Sequence, residues 1–150
     1  MAAGRFFLDT SALFAGLWSA QGGARLLLRL GEARQVRLLV SGQVLAELER
    51  ALQSKAPEVV PQVAVILDLA GVTVVPDGSE AAWRKAMGWL SHPADARVLA
   101  AALEASPDFF VTLDRQHFLN NALLRREAPF PIGTPGDALA WWRARWLTAL

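Results

Sequence analysis

Residues 6–11 have the sequence FFLDTS, a short apolar run that continues directly into an acid and two hydroxyl residues. A related segment, FFVTLD, covers residues 109–114. Consecutive apolar residues of this kind are typical of strands that are covered on both faces. In an open α/β sheet the carboxyl ends of the strands meet at one edge, and ligands bind in the crevice there. The two segments therefore predict Asp9 and Asp114 at the same edge of one sheet.

Two more acids occupy comparable positions. Glu47 lies in SGQVLAEL at residues 41–48, and Asp95 ends HPAD at residues 92–95. Ionised carboxylates gathered at one edge repel each other, by about 4 kcal/mol for a pair at ~4 Å and an effective dielectric of about 20. A divalent cation is the simplest partner that removes this repulsion, and oxygen ligands suit Mg²⁺ and Mn²⁺. The four acids together favour a metal site.

Three of the acids also have an ordinary structural interpretation. Asp9 can cap the helix that begins after it, and Asp114 can cap a short helix over residues 115–120. Asp95 lies in a first helical turn, where the helix dipole favours an acid without any catalytic role. Taken one at a time, these interpretations stay open. The joint occurrence of the acids at successive strand–helix junctions is what favours a functional site.

Glu47 is the ambiguous member of the set. The apolar stripe of its helix consists of Val44, Leu45, Leu48, Ala51 and Leu52. Glu47 and Glu49 lie on opposite flanks of this stripe, each about 100° from its centre. Periodicity therefore leaves both open, and Glu47 can also form an i,i+3 pair with Arg50.

Short β-rich runs alternate with helical patterns along the chain. The patterns predict strands over residues 5–8, 36–40, 72–75, 109–112 and 130–132. They predict helices over residues 11–19, 22–31, 43–53, 57–70, 80–90, 94–105 and 135–147. Ser91 is the expected cap of the helix that contains Asp95, with Pro93 just inside its start. This alternation indicates βαβ units, a mostly parallel sheet and an α/β fold.

Composition limits the class of protein. The 150 residues fit a single domain spanning 1–150, and 53% hydrophobic residues suffice for a full core. No apolar run approaches the ~20 residues that cross a bilayer, and the first residues show no secretory signal peptide. The absence of cysteine excludes disulfides, zinc–thiolate sites and thiol nucleophiles. A cytoplasmic protein with no membrane association is expected.

Charge is distributed unevenly along the chain, although the net charge is only +1. From Arg115 onward five arginines stand against two acids, a net charge of +3, whereas the first 114 residues carry 10 bases and 12 acids, a net charge of −2. A basic flank beside an acidic cleft suits an anionic substrate that meets a metal. Ordinary solvated surface charge explains the same distribution.

The motifs and their order resemble the PIN domain family. The matching segments are FLDTSAL at 7–13, SGQVLAEL at 41–48, DARVLAAA at 95–102, VTLD at 111–114 and IGTPGDAL at 132–139. Each motif is weak by itself. Together they span nearly the whole chain in the order and spacing of the family.

The resemblance implies a three-layer α/β/α fold around a central parallel sheet of about five strands. It implies that Asp9, Glu47, Asp95 and Asp114 form the catalytic, metal-binding set, which selects Glu47 over Glu49. It implies Mg²⁺- or Mn²⁺-dependent hydrolysis of RNA phosphodiester bonds. Stand-alone bacterial members resemble the ribonuclease toxins of toxin–antitoxin pairs, so an antitoxin partner and a homodimer are expected.

Hydroxyl and basic residues surround the four acids in the sequence. Thr10, Ser11 and Thr112 match family positions that orient a carboxylate or a metal-bound water, and backbone capping explains them equally well. Arg97 and Arg115 follow two of the acids closely. They are predicted to contact an RNA phosphate, with solvated surface arginine as the alternative.

Other α/β enzymes are excluded by their own motifs. An aspartyl phosphatase needs a second acid where Ser11 stands, and a dinucleotide site needs G-x-G-x-x-G after the first strand. A receiver domain needs a lysine after a late strand, and a serine hydrolase needs G-x-S-x-G. His92 and His117 lack a serine–histidine–acid arrangement, and no role is assigned to them. The remaining rival is a PIN-like module that binds RNA or protein without cutting.

Tryptophans concentrate in the last helical pattern. A stripe at helical spacing is predicted to be core and consists of Leu139, Trp142, Trp146 and Leu150. The residues predicted to face a partner subunit are Trp141 and Leu147, with Trp18, Trp83 or Trp89. Stacking of RNA bases on exposed tryptophans has less support, because aromatic and basic residues do not alternate along the chain.

Overall fold

The computed structural model describes residues 4–149, with only the backbone of Ala149. The strands of its sheet are β1 (Gly4–Leu8), β2 (Val36–Ser41), β3 (Thr73–Val75), β4 (Phe109–Val111) and β5 (Ile132–Gly133). Every neighbouring pair is parallel, and the order across the sheet is β3-β2-β1-β4-β5. Helices flank this sheet, which confirms the three-layer α/β/α prediction.

The helices follow the predicted alternation with shifted ends, except that the short helix over residues 122–127 was not predicted. They are α1 (Thr10–Trp18), α2 (Gly23–Glu32), α3 (Gly42–Lys55), α4 (Val60–Leu69), α5 (Glu80–Met87), α6 (Pro93–Ala105), α7 (Ala122–Glu127) and α8 (Pro135–Ala149). A 3₁₀ turn (Pro57–Val59) precedes α4, so the helix predicted over 57–70 is divided. A π-helical turn (Arg115–Leu119) follows β4, where a short helix was predicted.

The cap of α6 differs from the prediction. Pro93 occupies the first helical position, and His92, not Ser91, is the N-cap residue. The Nδ1 atom of His92 accepts the backbone N–H of Asp95 at 3.4 Å. The prediction of Ser91 as the cap is wrong because Pro93 is the first helical residue, so that the cap is the residue directly before it.

Aromatic side chains fill both faces of the sheet at β1 and β4. On one face, Phe6 and Phe109 contact the edge of Trp141 in α8. On the other face Phe7 stacks on Phe110, with ring centres 5.4 Å apart, and Phe110 stacks in turn on Phe118 and Phe130. Consecutive strand residues therefore serve opposite faces, as the unbroken apolar runs predicted.

The packing of α8 corrects the predicted tryptophan stripe. Trp141, predicted to face a partner, is half-buried against the sheet. Trp146, predicted to be core, is 37% exposed. Pro135, Ala138 and Trp141 lie on the buried side of α8. They are three residues apart, a spacing that places side chains on one face of a helix. Leu139 and Trp142, also predicted to be core, are partly buried against the hydrophobic core, so the prediction is right for these two residues. Leu150, the last member of the predicted stripe, lies outside the described residues.

The strand order opens a crevice beside β1. The chain runs from β1 to β2 and β3 in one direction and then crosses to β4 on the other side of β1. Such a reversal separates the connections that leave the two neighbouring strands, which places a ligand crevice at their carboxyl ends. The backbone N–H of Asp9 donates to the Val111 carbonyl at 3.1 Å, so the ends of β1 and β4 stay joined at this point.

None of the helices within residues 4–149 is long and apolar enough to span a membrane.

Candidate metal centre

Asp9 is the buried centre of a hydrogen-bond network. Its side chain caps α1, since Oδ1 accepts the Ala12 N–H at 2.9 Å, and the same atom accepts the Ser11 hydroxyl at 2.7 Å. The Thr112 hydroxyl donates to Oδ2. Burial raises the pKa of Asp9 to about 6, the hydrogen bonds from Thr112, Ala12 and Ser11 oppose this rise, and the nearby charge of Asp114 adds to it. The ionised carboxylate is therefore held in place by hydrogen bonds, although burial disfavours its charge.

Glu47 reaches the same crevice from α3. Its Oε2 atom accepts the Thr10 hydroxyl at 2.8 Å, and its Oε1 atom accepts the Gln43 amide N–H at 2.8 Å. Glu49 lies on the opposite flank of α3, beside a separate apolar groove against α4. Tertiary packing thus directs Glu47, and not Glu49, towards Asp9, which helix periodicity left open.

Asp95, Asp114 and His117 converge on the other side of the crevice. The Nδ1 atom of His117 lies 3.0 Å from Asp114 Oδ2 and 3.1 Å from Asp95 Oδ2. One donor atom of each residue lies within 4.8 Å of the other two, a separation that a single metal ion can bridge. Asp114 also accepts the backbone N–H of His117 at 3.1 Å, so its predicted capping role is present as well.

Asp95 Oδ2 is buried and has no hydrogen-bond partner among residues 4–149. His92 Nδ1 lies 3.2 Å from it, but that nitrogen already accepts the Asp95 N–H. The Nδ1 atom of His117 hydrogen-bonds to Asp114 instead, and a neutral imidazole has only one N–H to donate. The short nitrogen–oxygen distances therefore do not amount to hydrogen bonds that satisfy this oxygen.

The pKa of Asp95 is raised, like that of Asp9. Burial is the largest cause, the neighbouring His117 and His92 oppose it, and the charges of Asp114 and Glu47 reinforce it. Burial and repulsion between acids are the two costs that a bound cation removes.

A single cleft of about 560 Å³ is lined by all four predicted acids. Its donor set is almost entirely oxygen, with one imidazole nearby, which is the chemistry that Mg²⁺ and Mn²⁺ prefer. The unsatisfied Oδ2 atom of Asp95 supplies a free ligand position, and the carboxylates of Asp9 and Glu47 are already oriented. The residues present fit a divalent cation.

The predicted hydroxyl residues all lie beside the acids. Thr10 donates to Glu47, and Ser11 and Thr112 donate to Asp9. Ser11 Oγ also accepts the Leu113 N–H at 2.9 Å, and Thr112 Oγ1 accepts the Asp114 N–H at 3.0 Å. These side chains tie the end of β4 to the start of α1, so they hold both the carboxylates and the backbone.

The predicted RNA-binding arginines do not line the cleft. Arg97 stacks over the Trp83 ring, 4.4 Å from its centre, and lies 3.9 Å from Glu80. Arg115 is exposed on the π-helical turn. Among the described residues that line the cleft, the one with a positively charged side chain is Lys55. Sequence reasoning did not select it.

His117 is the site residue that sequence reasoning missed. It follows Asp114 by three residues, a spacing that brings two side chains together on a helical turn. That signal was present in the sequence, but the contact with Asp95, 22 residues upstream, needed the tertiary structure. The ring of His92 is tilted against that of His117, with ring centres 5.0 Å apart, and belongs to the same cluster.

Known proteins share sequence features and the fold with this chain. A PIN domain family model matches residues 5–116. The chain belongs to the PIN domain family. No curated protein sequence gives a significant match.

Solved structures share the fold of this PIN domain at low sequence identity. VapC20 of Mycobacterium tuberculosis, a toxin that cleaves the sarcin–ricin loop, is 20% identical, with a TM-score of 0.54 over 74% of this chain and 91% of its own. VapBC2 of Rickettsia felis, bound to a DNA fragment from its promoter, is 15% identical, with a TM-score of 0.59 over 86% and 96%. PAE2754 of Pyrobaculum aerophilum is 17% identical, with a TM-score of 0.62 over 95% and 99%. These likenesses establish the fold.

Proposed function

We propose that this PIN domain is a metal-dependent endoribonuclease that hydrolyses RNA phosphodiester bonds. The observation that carries the proposal is the convergence of Asp9, Glu47, Asp95 and Asp114 on one cleft, with the Asp95 Oδ2 atom buried and unsatisfied. Structural carboxylates normally acquire a hydrogen-bond partner or an opposite charge when they are buried. A buried carboxylate oxygen without such a partner, as Asp95 Oδ2 is, is suited to holding a cation.

The residues of the site have separable tasks. Asp95 and Asp114, with His117 between them, would hold Mg²⁺ or Mn²⁺, and Asp9 and Glu47 would complete the ligand set. The bound ion would lower the pKa of a water molecule and neutralise charge on the phosphoryl group. Thr112 and Ser11 hold the carboxylate of Asp9, and Thr10 and Gln43 hold that of Glu47. This preorganisation keeps the ligands from rotating when RNA enters.

The biological setting is proposed from the structural relatives. One of them, VapC20, is a toxin that cleaves the sarcin–ricin loop, and another is a VapBC2 complex bound to its promoter DNA. We infer that this chain is the toxin of a toxin–antitoxin pair, that an antitoxin protein holds it inactive, and that it acts as a single-domain homodimer in the cytoplasm. The identity of the neighbouring open reading frame and the sedimentation of the purified protein test these points.

The proposal is tested by comparing two glutamates on one helix. Glu47→Gln should abolish Mn²⁺-dependent cleavage of single-stranded RNA and weaken Mn²⁺ binding in calorimetry, because it removes a charged ligand. Glu49→Gln, on the exposed flank of the same helix, should leave both unchanged. A chelated wild-type sample controls for contaminating ribonuclease.

The second candidate function is a PIN-like module that binds RNA or protein without cutting. It predicts that wild type and Glu47→Gln show the same cleavage as the chelated sample. It also predicts no Mg²⁺ or Mn²⁺ binding at millimolar concentration. Either result would remove the nuclease assignment. The intact set of four acids and the unsatisfied oxygen favour the enzyme.

A further inference from the structure

The cleft continues beyond the acids between two helices that form its walls. Thr10, Phe14 and Trp18 line it from α1. Residues spaced by four lie along one face of a helix, ~6 Å apart. The α1 wall therefore changes from a hydroxyl that contacts Glu47 to two aromatic rings as it leaves the acid cluster. We call this part the aromatic end of the cleft.

The second wall repeats the same spacing on α3. Glu47, Ala51 and Lys55 line the cleft at intervals of four residues. Lys55 lies two helical turns from Glu47, ~12 Å along the axis. The small side chain of Ala51 lines the cleft between them. The α3 wall thus changes from negative to positive charge in the direction in which the α1 wall becomes aromatic.

The aromatic end is exposed and geometrically ordered. The rings of Phe14 and Trp18 are stacked, with centres 6.3 Å apart and planes inclined by 22°. Trp18 is 51% exposed, although a large apolar side chain normally seeks burial. The ammonium group of Lys55 lies 5.8 Å from the centre of the Phe14 ring. Flat, accessible aromatic surface and a positive charge therefore occupy one place beside the acids.

We propose that the aromatic end is a subsite for single-stranded RNA, in which a nucleobase stacks on Trp18 and Phe14 while Lys55 contacts a phosphate. Aromatic side chains beside basic ones bind single strands of any sequence, because every base has a stacking face. Phosphate contacts position the strand without reading its sequence. The subsite rests on the proposed function, since it places the strand with a neighbouring phosphate over Asp9 and Asp95.

Charge favours a nucleic acid over an apolar protein segment. A purely apolar ligand would gain nothing from Lys55, and burial of an unpaired ammonium would cost free energy. A strand of RNA provides an anion for the lysine and a base for the rings at one time. The acid end repels phosphate unless a cation is bound, so in the metal-free protein the strand depends on the aromatic end for its binding.

The test measures binding and cleavage separately. Fluorescence anisotropy follows a short labelled oligouridylate, and an abasic oligonucleotide with the same phosphates, bound to the full chain in the presence of a chelator. Trp18→Ala should weaken binding of the oligouridylate about 10-fold, within the range for loss of one stacked base. It should leave binding of the abasic strand unchanged. Lys55→Gln should lower the slope of log K against log salt by about 0.7 for both strands.

Two matched variants serve as controls. Trp146→Ala removes a partly exposed tryptophan on α8, and Lys85→Gln removes an exposed lysine on α5, both outside the cleft. Both should bind RNA like wild type. Because the four variants change exposed positions, thermal unfolding should confirm that each is folded.

Equal binding of base-bearing and abasic strands by wild type would overturn the subsite and assign the aromatic end to a protein segment. Loss of RNA binding in Trp18→Ala without any metal-dependent cleavage by wild type would retain the subsite and reject the nuclease. Metal-dependent cleavage by wild type, together with unchanged RNA binding in Trp18→Ala, would retain the nuclease and reject the subsite.

Discussion

Asp9 and Asp95 are acids of the same cleft with very different surroundings. Asp9 is 5% exposed and accepts hydrogen bonds from a backbone N–H and two hydroxyls. Asp95 has a buried oxygen that accepts none. Hydrogen bonds to charged groups contribute about 1.5–3 kcal/mol each. Asp9 is therefore fixed by the protein itself, whereas Asp95 keeps a ligand position that the protein does not fill.

The site therefore has two halves. The first half, around Asp9, is held in place by hydrogen bonds of the protein, and in the second half, around Asp95, a buried oxygen has no partner. Asp9 belongs to the junction of β1, α1 and β4 and supports the fold as well as the site. Asp95 lies at the start of α6, among two imidazoles and two other acids, where its ionised form is disfavoured. A cation would offset the buried charge of both acids, but only Asp95 has a buried oxygen without any other partner, and the following predictions test that division.

The largest effect is expected at Asp95. Asp95→Asn should lower Mn²⁺ affinity by more than the ~10–100-fold typical of residues that only support a ligand. The same change should raise the melting temperature of the metal-free protein, because it removes a buried charge that lacks a partner. Calorimetry and thermal unfolding with a chelator measure the two effects. Asp68→Asn, an exposed acid at the opposite edge of the sheet, is the control.

The Asp95 prediction has a distinct contrary result. A metal-free Asp95→Asn protein that is less stable than wild type would show that the carboxylate supports the fold as Asp9 does. The division between the two halves would then be wrong.

Asp9 should make the metal-free protein less stable as pH rises. Its proton leaves the unfolded chain near pH 3.8 and the folded chain near 6. Between these values the folded state binds more protons, so the free energy of unfolding falls with rising pH. The loss attributable to Asp9 is about 3 kcal/mol by pH 7, from 1.36 kcal/mol per pKa unit. Urea unfolding of wild type and Asp9→Asn, at pH values across this window, measures the difference in slope.

Saturating Mn²⁺ at pH 7 should restore the stability that ionisation of Asp9 removes. The affinity of the protein for Mn²⁺ should decrease as pH falls through 6, since protons compete with the ion for the Asp9 carboxylate. Parallel pH profiles for wild type and Asp9→Asn would show that the buried Asp9 carboxylate does not titrate in this range.

A smaller effect is expected at His117, whose Nδ1 atom lies close to the carboxylates of both Asp95 and Asp114. His117→Gln should weaken Mn²⁺ binding about 10-fold, in the range for a residue that orients ligands. It should affect Mg²⁺ less, because imidazole is a poorer ligand for Mg²⁺. His92→Asn keeps an N-cap residue for α6 and should leave both affinities unchanged. Equal losses in the two histidine variants would assign His117 a role in packing alone.

Much of the fold was predictable because buried segments have characteristic apolar patterns in the local sequence. Apolar runs such as residues 6–8 and 109–111 predicted strands covered on both faces, and the alternation with helices predicted the parallel sheet. Helix ends were less predictable, since His92 competes with Ser91 for one cap. The stripe of α8 was partly right, since Leu139 and Trp142 pack against the core as predicted. Trp146 is exposed instead, and Trp141 contacts Phe6 and Phe109, because two adjacent faces of the helix are both apolar.

The identity of the four acids was predictable from the sequence, but the contacts between their side chains were not. Their positions after strands or at helix starts placed them at one edge, and the capping roles proposed for Asp9 and Asp114 are present as well. The metal-binding role of the set stays a prediction. Arg97 was predicted to contact RNA because it follows Asp95 closely in the chain, and its guanidinium lies over the Trp83 ring, outside the cleft. Its contact with RNA also stays a prediction.

By itself the sequence determined the alternation of strands and helices and the order of the acids, because both depend on local periodicity and on which residues begin helices. The tertiary structure decided which side chains meet. It turned Glu47 towards Asp9 and Glu49 away, joined His117 to Asp95, and placed Lys55 beside Phe14. The physical reason is that periodicity records how deeply a residue is buried, whereas its partners depend on the strand order and on the packing of α1, α3 and α6.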